Sequence, residues 1–213
     1  MLWIIAALII SYLLGSIPTA YLFGRILKGV DIRKIGSGNV GATNAMRALG
    51  KGPGITVLLL DILKGFIVVV FLGDLFSSKT ILLESQNLRI IMGLCSICGH
   101  NWTIFLRFKG GKGIATTFGV LLGLTLRLPG LSMVISILVL TWVTVFMVSR
   151  IVSLASITAA IALPVSILFF KQPVILTVAS TILCLFVLIR HKSNLSRILQ
   201  GKEPRLYFKK PGN

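Results

Sequence analysis

The feature that most restricts this chain is a succession of apolar segments, each nearly long enough or long enough to cross a bilayer, with a short polar stretch after each one. Leu2–Phe23, Ile55–Leu72, Leu88–Leu106, Gly113–Leu128, Leu131–Val148, Ile151–Phe169 and Val174–Ile189 follow one another along the sequence. The first holds 22 residues, and a helix of that length at about 1.5 Å per residue reaches roughly 33 Å, the thickness of the hydrocarbon layer. Gly113–Leu128 is short and carries glycines, and Leu88–Leu106 contains His100 and Asn101. Pro129-Gly130 and Gln172-Pro173 mark tight turns between the later segments. A soluble domain carries about a quarter charged residues, whereas this chain has 13% charged against 55% apolar, with a mean hydropathy of +0.97. The expected fold class is an all-α integral membrane protein of seven transmembrane helices, forming a single domain over residues 1–213. No Lys or Arg precedes the first run and no small-residue cleavage site follows it, so it does not read as a cleaved leader.

The charge is lopsided: 22 Lys and Arg face 5 Asp and Glu, for a net +17. Such an excess points to anionic lipid headgroups, anionic substrates or nucleic acid. Nucleic acid is not expected, because the basic residues sit in short loops between apolar runs. With seven spans, Arg25 to Lys51, Arg107 to Lys112, Arg150 and the tail from Arg190 share one side. They hold 17 of the 22 basic residues. Lys79, Arg89, Arg127 and Lys171 fall on the other side, and Lys64 lies within a span. Positive loops stay cytoplasmic, so the N-terminus is expected outside and the C-terminus inside.

Three polar, glycine-bearing segments then share the cytoplasmic side. The first is GSGNVGATNAMRALGKG, Gly36 to Gly52. Gly36, Gly38 and Gly41 permit sharp turns and close approach, and successive N–H groups in such turns form an anion-binding concavity. Ser37, Asn39, Thr43 and Asn44 add side-chain donors, and Arg47 is suited to bidentate pairing with a phosphate. The glycine spacing matches a dinucleotide fingerprint but lies in no βαβ unit. A flexible loop carrying a helix cap is the other reading.

The second segment is GHNWTIFLRFKGGKG, Gly99 to Gly113. Lys112 is flanked by Gly110, Gly111 and Gly113, just before an apolar run. A helix starting near Gly113 presents N–H groups to an anion beside that lysine. It is no Walker A loop, since Gly113 stands where Ser or Thr is required. A loop obeying the charge rule explains the cations but not the glycines. His100 and Asn101 are expected about three turns from this loop, or in a broken helix, and a structural His is as admissible as a catalytic one. The third segment is RHKSNLSRILQGKE, Arg190 to Glu203. His191 and Asn194 are three apart, on one face of a helix. A lipid anchor explains its basic residues but not that pair.

Within a span, Asp61 and Lys64 are one turn apart and can pair. The pair reads as structural, with orientation of Arg47 or Lys112 as the alternative. Ser153 and Ser156 open the sixth run as donors or as small packing residues. Cys95, Cys98 and Cys184 suggest no disulfide framework, and Cys95, Cys98 and His100 lack a fourth zinc ligand. Asp31, Asp61, Asp74, Glu84 and Glu203 are the only acids, and no two are spaced to share a divalent metal. No metal and no cofactor are therefore expected. Several metal-binding aspartates, as in CDP-alcohol phosphotransferases, are missing. So is a His-x4-Asp motif, because Phe105 and Ser196 stand five after the two histidines. An anion-binding membrane site also suits a transporter of a phosphate-bearing metabolite. However, the polar groups gather on one side and the chain shows no evident internal repeat.

The three segments together resemble the signatures of the bacterial acyl-phosphate-dependent glycerol-3-phosphate acyltransferases: GSGNxGxTNxxR, GHxxxxFxxFxGGKG and RHxxNxxRxxxGxE. All three occur in family order, and the similarity covers almost the whole chain, with Leu195 in place of a commoner Ile. The resemblance implies seven helices in a bacterial inner membrane with the active site on the cytoplasmic face. It implies transfer of a fatty acyl group from acyl phosphate to the 1-hydroxyl of sn-glycerol 3-phosphate, giving lysophosphatidic acid and inorganic phosphate. Ser37, Lys112, His191 and Asn194 would then be catalytic. Gly36, Gly38, Asn39, Gly41, Thr43, Asn44, Arg47, Gly111 and Ser153 would bind substrate. The partners would be acyl phosphate, glycerol 3-phosphate and membrane lipid. Either His191 or a substrate phosphate oxygen would serve as general base.

Overall fold

A computed structural model describes residues 1–206, and every regular element among them is helical. Lys209 and Lys210, counted above with the cytoplasmic tail, lie outside the described residues. The chain packs as two compact units, Met1–Leu128 and a second that begins at Pro129.

The first unit contains α1 (Leu2–Ser16), α2 (Thr19–Lys28), α3 (Ala42–Leu49), α4 (Lys51–Ile67), α5 (Gly73–Ser77), α6 (Ser85–Asn101) and α7 (Ile114–Leu124). The first apolar run is not one continuous helix. Pro18 lacks an N–H to continue the ladder and breaks the run into α1 and α2. Polar side chains take up the carbonyls at the break: Thr103 Oγ1 donates to Ser16 O at 2.6 Å and Lys64 Nζ to Ile17 O at 3.2 Å. Inside a membrane such groups have no water to bond. The second run extends past its expected end. A wide π-type turn, Val68–Leu72, links α4 to α5, and Arg89 Nη1 donates to the Val69 carbonyl within it at 2.6 Å. Arg89, expected as a loop charge on the outer side, is therefore a buried side chain that satisfies open backbone.

Two reciprocal glycine contacts set the packing. α1 lies against α6, and α4 against α7. A methyl group on Gly15 would fall 2.0 Å from the Ser96 carbonyl oxygen, and one on Gly99 2.1 Å from that of Tyr12. On the other pair, Gly65 meets Thr116 O at 2.3 Å and Gly119 meets Ile62 O at 1.9 Å on the same test. Helices whose association gains little from a hydrophobic driving force approach through such small residues.

The second unit contains α8 (Leu131–Ser149), α9 (Val152–Phe169), α10 (Val174–Arg190) and α11 (Lys192–Leu199), with α9 packed against both α8 and α10. Trp142 Nε1 donates to Ser156 Oγ at 3.2 Å across the α8–α9 pair. α10 and α11 meet at a bend of 60°.

Among the described residues, four helical stretches are long and apolar enough to cross a membrane: Leu2–Lys28, Lys51–Ser77, Leu131–Ser149 and Val152–Phe169. The bent α10–α11 pair makes a fifth if taken as one span. α7, expected to fill Gly113–Leu128, has 11 residues and at about 1.5 Å each reaches only about 17 Å.

Overpacking a tight helix contact costs about 1–3 kcal/mol. Gly65→Leu and Gly119→Leu are each expected to lower the unfolding temperature of the detergent-solubilised protein measured by thiol-probe fluorescence. Gly52→Ala, a site with open space around it, is expected to leave it unchanged.

Candidate functional site

The first polar segment is built around Asn44. Its amide is buried at 1% exposure. Nδ2 donates to the carbonyls of Ile32 and Ile35, both at 3.1 Å, and Oδ1 accepts the Ser37 N–H at 3.0 Å. Gly36 turns at a φ of 59°, and a methyl there would strike Asn44 Oδ1 at 2.4 Å. The N–H of Gly38 is also used, donating to Ile35 O at 3.1 Å. Asn44 therefore shapes the loop, and the Ser37 and Gly38 amides help to hold it together. The open backbone donors lie one step further on. α3 begins at Ala42 with Gly41 as its cap and no side-chain cap bond. The first-turn amides of a helix have no partner within it and favour an anion. Thr43 and Arg47 are four apart on that helix, hence on one face, with Arg47 exposed and Ser37 exposed on the preceding turn.

The wall before this loop is ionic. Asp31 Oδ2 accepts from Arg33 Nη2 at 2.7 Å, and the Arg25 and Arg33 guanidinium groups lie 5.4 and 5.1 Å from the Tyr21 ring centroid. The Arg33 hydrogen bond holds the Asp31 carboxyl well below its usual range, at about 2.

The second segment departs from expectation in a useful way. α6 stops at Asn101, and Thr103 caps a single turn, Ile104–Leu106. Arg107 and Phe108 then adopt left-handed φ angles of 55° and 61°, and the chain folds back. Gly110 N–H donates to Asn101 O at 3.2 Å and Gly111 N–H to His100 O at 2.9 Å. His100 and Asn101 were expected about three turns from this loop or in a broken helix; the helix does break after Asn101, and the reversal puts both residues against the loop. A methyl on Gly111 would meet His100 Nε2 at 2.1 Å and the Val40 carbonyl at 2.8 Å. The first two segments thus meet at Gly111. Half-buried Lys112 follows, and α7 starts from Gly113. Asn101 is buried beside Gly113, and neither atom of its amide has a hydrogen-bond partner among the described residues.

Behind this turn lies the Asp61–Lys64 pair, joined at 2.9 Å. Its further contacts are Thr19 Oγ1, donating to Asp61 Oδ1 at 2.7 Å, and His100 Nδ1, 2.8 Å from Lys64 Nζ.

In the second unit the third segment is organised by Glu203. Its Oε1 accepts from Ser153 Oγ at 2.7 Å and from Asn194 Nδ2 at 2.5 Å, and its Oε2 from Arg197 Nε at 2.7 Å. Burial pushes this carboxyl up, but the hydrogen bonds from Ser153, Asn194 and Arg197 with the Arg197 charge outweigh it and hold it low. Ser153, read from the sequence as a substrate contact, is a partner of Glu203. Sequence reasoning passed over Glu203, although it closes the third motif. His191 sits at the α10–α11 bend with Nδ1 at 2.8 Å from Val187 O. A carbonyl only accepts, so Nδ1 carries the proton and the lone pair of the neutral ring lies on Nε2.

The fold and these segments define a class: an all-α integral membrane protein whose glycine turns, helix starts and basic side chains suit phosphate-bearing ligands. The model of the glycerol-3-phosphate acyltransferase family matches residues 5–201, and the chain belongs to that family. A glycerol-3-phosphate acyltransferase of Prochlorococcus marinus is 44% identical over 93% of this chain and 92% of its own length. That of Macrococcus caseolyticus is 41% identical over 95% and 97%. Among solved structures, the integral membrane glycerol 3-phosphate acyltransferase PlsY (YgiH) in its glycerol 3-phosphate form superposes with a TM-score of 0.84. That pair shares 38% identity, over 96% of both chains. The form described with lysophosphatidic acid gives 0.81 at 37% identity, over 96% of this chain and 95% of the other.

A carboxyl held low by its partners stabilises at any pH above its ordinary value and loses that contribution as pH falls through the lowered one. The Glu203 tie is thus expected to persist through neutral pH and to fail only in acid, below the ordinary range of a glutamate. Glu203→Gln removes the charge at all pH values and sets an NH2 against one of the donors, a loss of about 1–3 kcal/mol. Hydrogen exchange of α11 across pH checks both.

Proposed function

We propose that this chain transfers a fatty acyl group from acyl phosphate to the 1-hydroxyl of sn-glycerol 3-phosphate, releasing lysophosphatidic acid and inorganic phosphate. The observation that carries the reading is the meeting of two phosphate-suited turns at Gly111, in a chain of this family. An acyl phosphate is a mixed anhydride whose phosphate leaves readily, so the reaction asks for anion binding and oxyanion stabilisation and for no metal or cofactor. In this reading the amides at the start of α3, with Thr43 and Arg47, hold the phosphate of the acyl donor, and Ser37 donates at the reacting carbonyl. Gly36, Gly38, Asn39, Gly41 and Asn44 give the loop its shape. Lys112, the Gly111 turn and the start of α7 take the phosphate of glycerol 3-phosphate, and buried Asn101 adds an unused donor and acceptor there.

The third segment supplies His191 and Asn194, with Ser153 and Glu203 setting the amide of Asn194. The Nε2 lone pair of His191 suits it to receive the hydroxyl proton; a phosphate oxygen of the substrate is the competing acceptor. The whole chain works as one acyltransferase domain, its seven apolar segments spanning or entering a bacterial inner membrane with the N-terminus outside and the site on the cytoplasmic face. The acyl chain stays among the helices or in the lipid.

Purified protein in nanodiscs is expected to release phosphate from palmitoyl phosphate only when glycerol 3-phosphate is present. Release that needs no acceptor, or none at all, overturns the reading. Ser37→Ala is expected to lower kcat by about 10²–10³, the usual loss of an oxyanion donor, whereas Lys112→Ala is expected chiefly to raise the KM for glycerol 3-phosphate. Near-full activity in His191→Gln across pH would leave the substrate phosphate as the base.

A further inference from the structure

Lys64 has three ammonium hydrogens and three acceptors around it. Asp61 Oδ1 lies at 2.9 Å, His100 Nδ1 at 2.8 Å and the Ile17 carbonyl at 3.2 Å. An ammonium offers donors only, so His100 Nδ1 accepts, and the proton of the neutral ring resides on Nε2. Protonation at Nδ1 would set that hydrogen against those of Lys64, and Asp61 Oδ1 is 3.6 Å from Nδ1, too far to replace the shorter bond. Nε2 is the atom that lies against Gly111. The His100 carbonyl holds the Gly111 N–H and the neighbouring Asn101 carbonyl holds the Gly110 N–H. The ring and backbone at the end of α6 are therefore the floor on which the Gly110–Lys112 turn rests.

We propose that the buried Asp61–Lys64 pair is a positioning device for this turn: it holds His100 as the neutral Nε2–H tautomer and so sets where Lys112 meets its anion. The proposal rests on the reading that this turn takes the phosphate of glycerol 3-phosphate. Thr19, bonded to Asp61 from the start of α2, completes the set. Stability alone does not require these charges, since apolar residues of similar volume commonly replace a buried ion pair without loss. Such residues offer no hydrogen bond to Nδ1, and without it the ring is free to flip or change tautomer. A turn that shifts by an angstrom no longer presents Lys112 to a phosphate at bonding distance.

The tautomer is read directly by 15N spectroscopy of histidine-labelled protein in nanodiscs. The chain has two histidines, and His191→Gln assigns the pair. A pyridine-type Nδ1 and a pyrrole-type Nε2 for His100 are expected; a protonated Nδ1 overturns the proposal, whether or not the protein proves to be an acyltransferase. The double variant Asp61→Asn/Lys64→Met removes both charges together. It is expected to fold and to raise the KM for glycerol 3-phosphate by about ten-fold or more, while the KM for acyl phosphate stays nearly constant. A folded double variant with an unchanged KM for glycerol 3-phosphate overturns the proposal. Should that variant misfold, the amides decide: Gln places its NH2 where Nε2 was, whereas Asn reaches only the Nδ1 position and leaves the Nε2 position empty. His100→Gln is expected to keep the lower KM, and equal values for His100→Gln and His100→Asn overturn the assignment.

Discussion

A charge carried into a membrane bundle has to find a partner for every hydrogen it brings, and Lys64 does so from three different elements. Its acceptors come from the same helix, from the break between α1 and α2, and from the end of α6. Those contacts connect the place where the first apolar run is interrupted to the place where the third one stops. Both interruptions matter, since the first exposes carbonyls that the chain has to satisfy and the second frees His100 and Asn101 to support a loop. Breaking a helix within hydrocarbon is unfavourable unless the freed groups are re-bonded. Here the re-bonding side chains also shape the site.

The same logic recurs wherever the backbone leaves regular structure. Arg89 fills the wide turn after α4, Asn44 ties three backbone groups of the first polar loop, and Glu203 gathers donors from α9 and α11. In each case a single buried polar side chain does what water would do in a soluble protein. Each such side chain is fully engaged, so the groups that remain open are at a helix start and on exposed positions: the amides of Ala42 and Thr43, with Ser37 and Arg47. A site assembled in this way is stiff where it is held and open where it binds.

Much of this was legible in the residues. Apolar run length and the loop cations set the class, and three glycine-bearing motifs marked the candidate segments. The positions of Pro18 and of the Gly110–Gly113 turn were visible too, but not what they do. A proline in an apolar run reads equally as a kink or a break. His100 was expected either about three turns from Lys112 or in a broken helix, because the apolar run continues through Trp102–Leu106; the chain breaks and reverses there on a Thr103-capped turn. Asn44 and Ser153 read as ligand donors by type; their partners are residues and backbone groups that sequence spacing does not relate.

The sequence by itself determined that the chain lives in a membrane and is built of helices, and where its polar, glycine-bearing segments lie. Those properties follow from composition and from local spacing of 3.6 residues per turn. Only the tertiary structure decided which polar groups are used up in holding loops and which remain for a substrate. Hydrogen bonds between Asp61–Lys64 and His100, between Gly111 and α6, and between Asn194 and Glu203 join residues by direction and distance. Those two quantities are set by packing, through contacts such as Gly65 with Thr116 and Gly15 with Ser96, and no pattern along the chain encodes them.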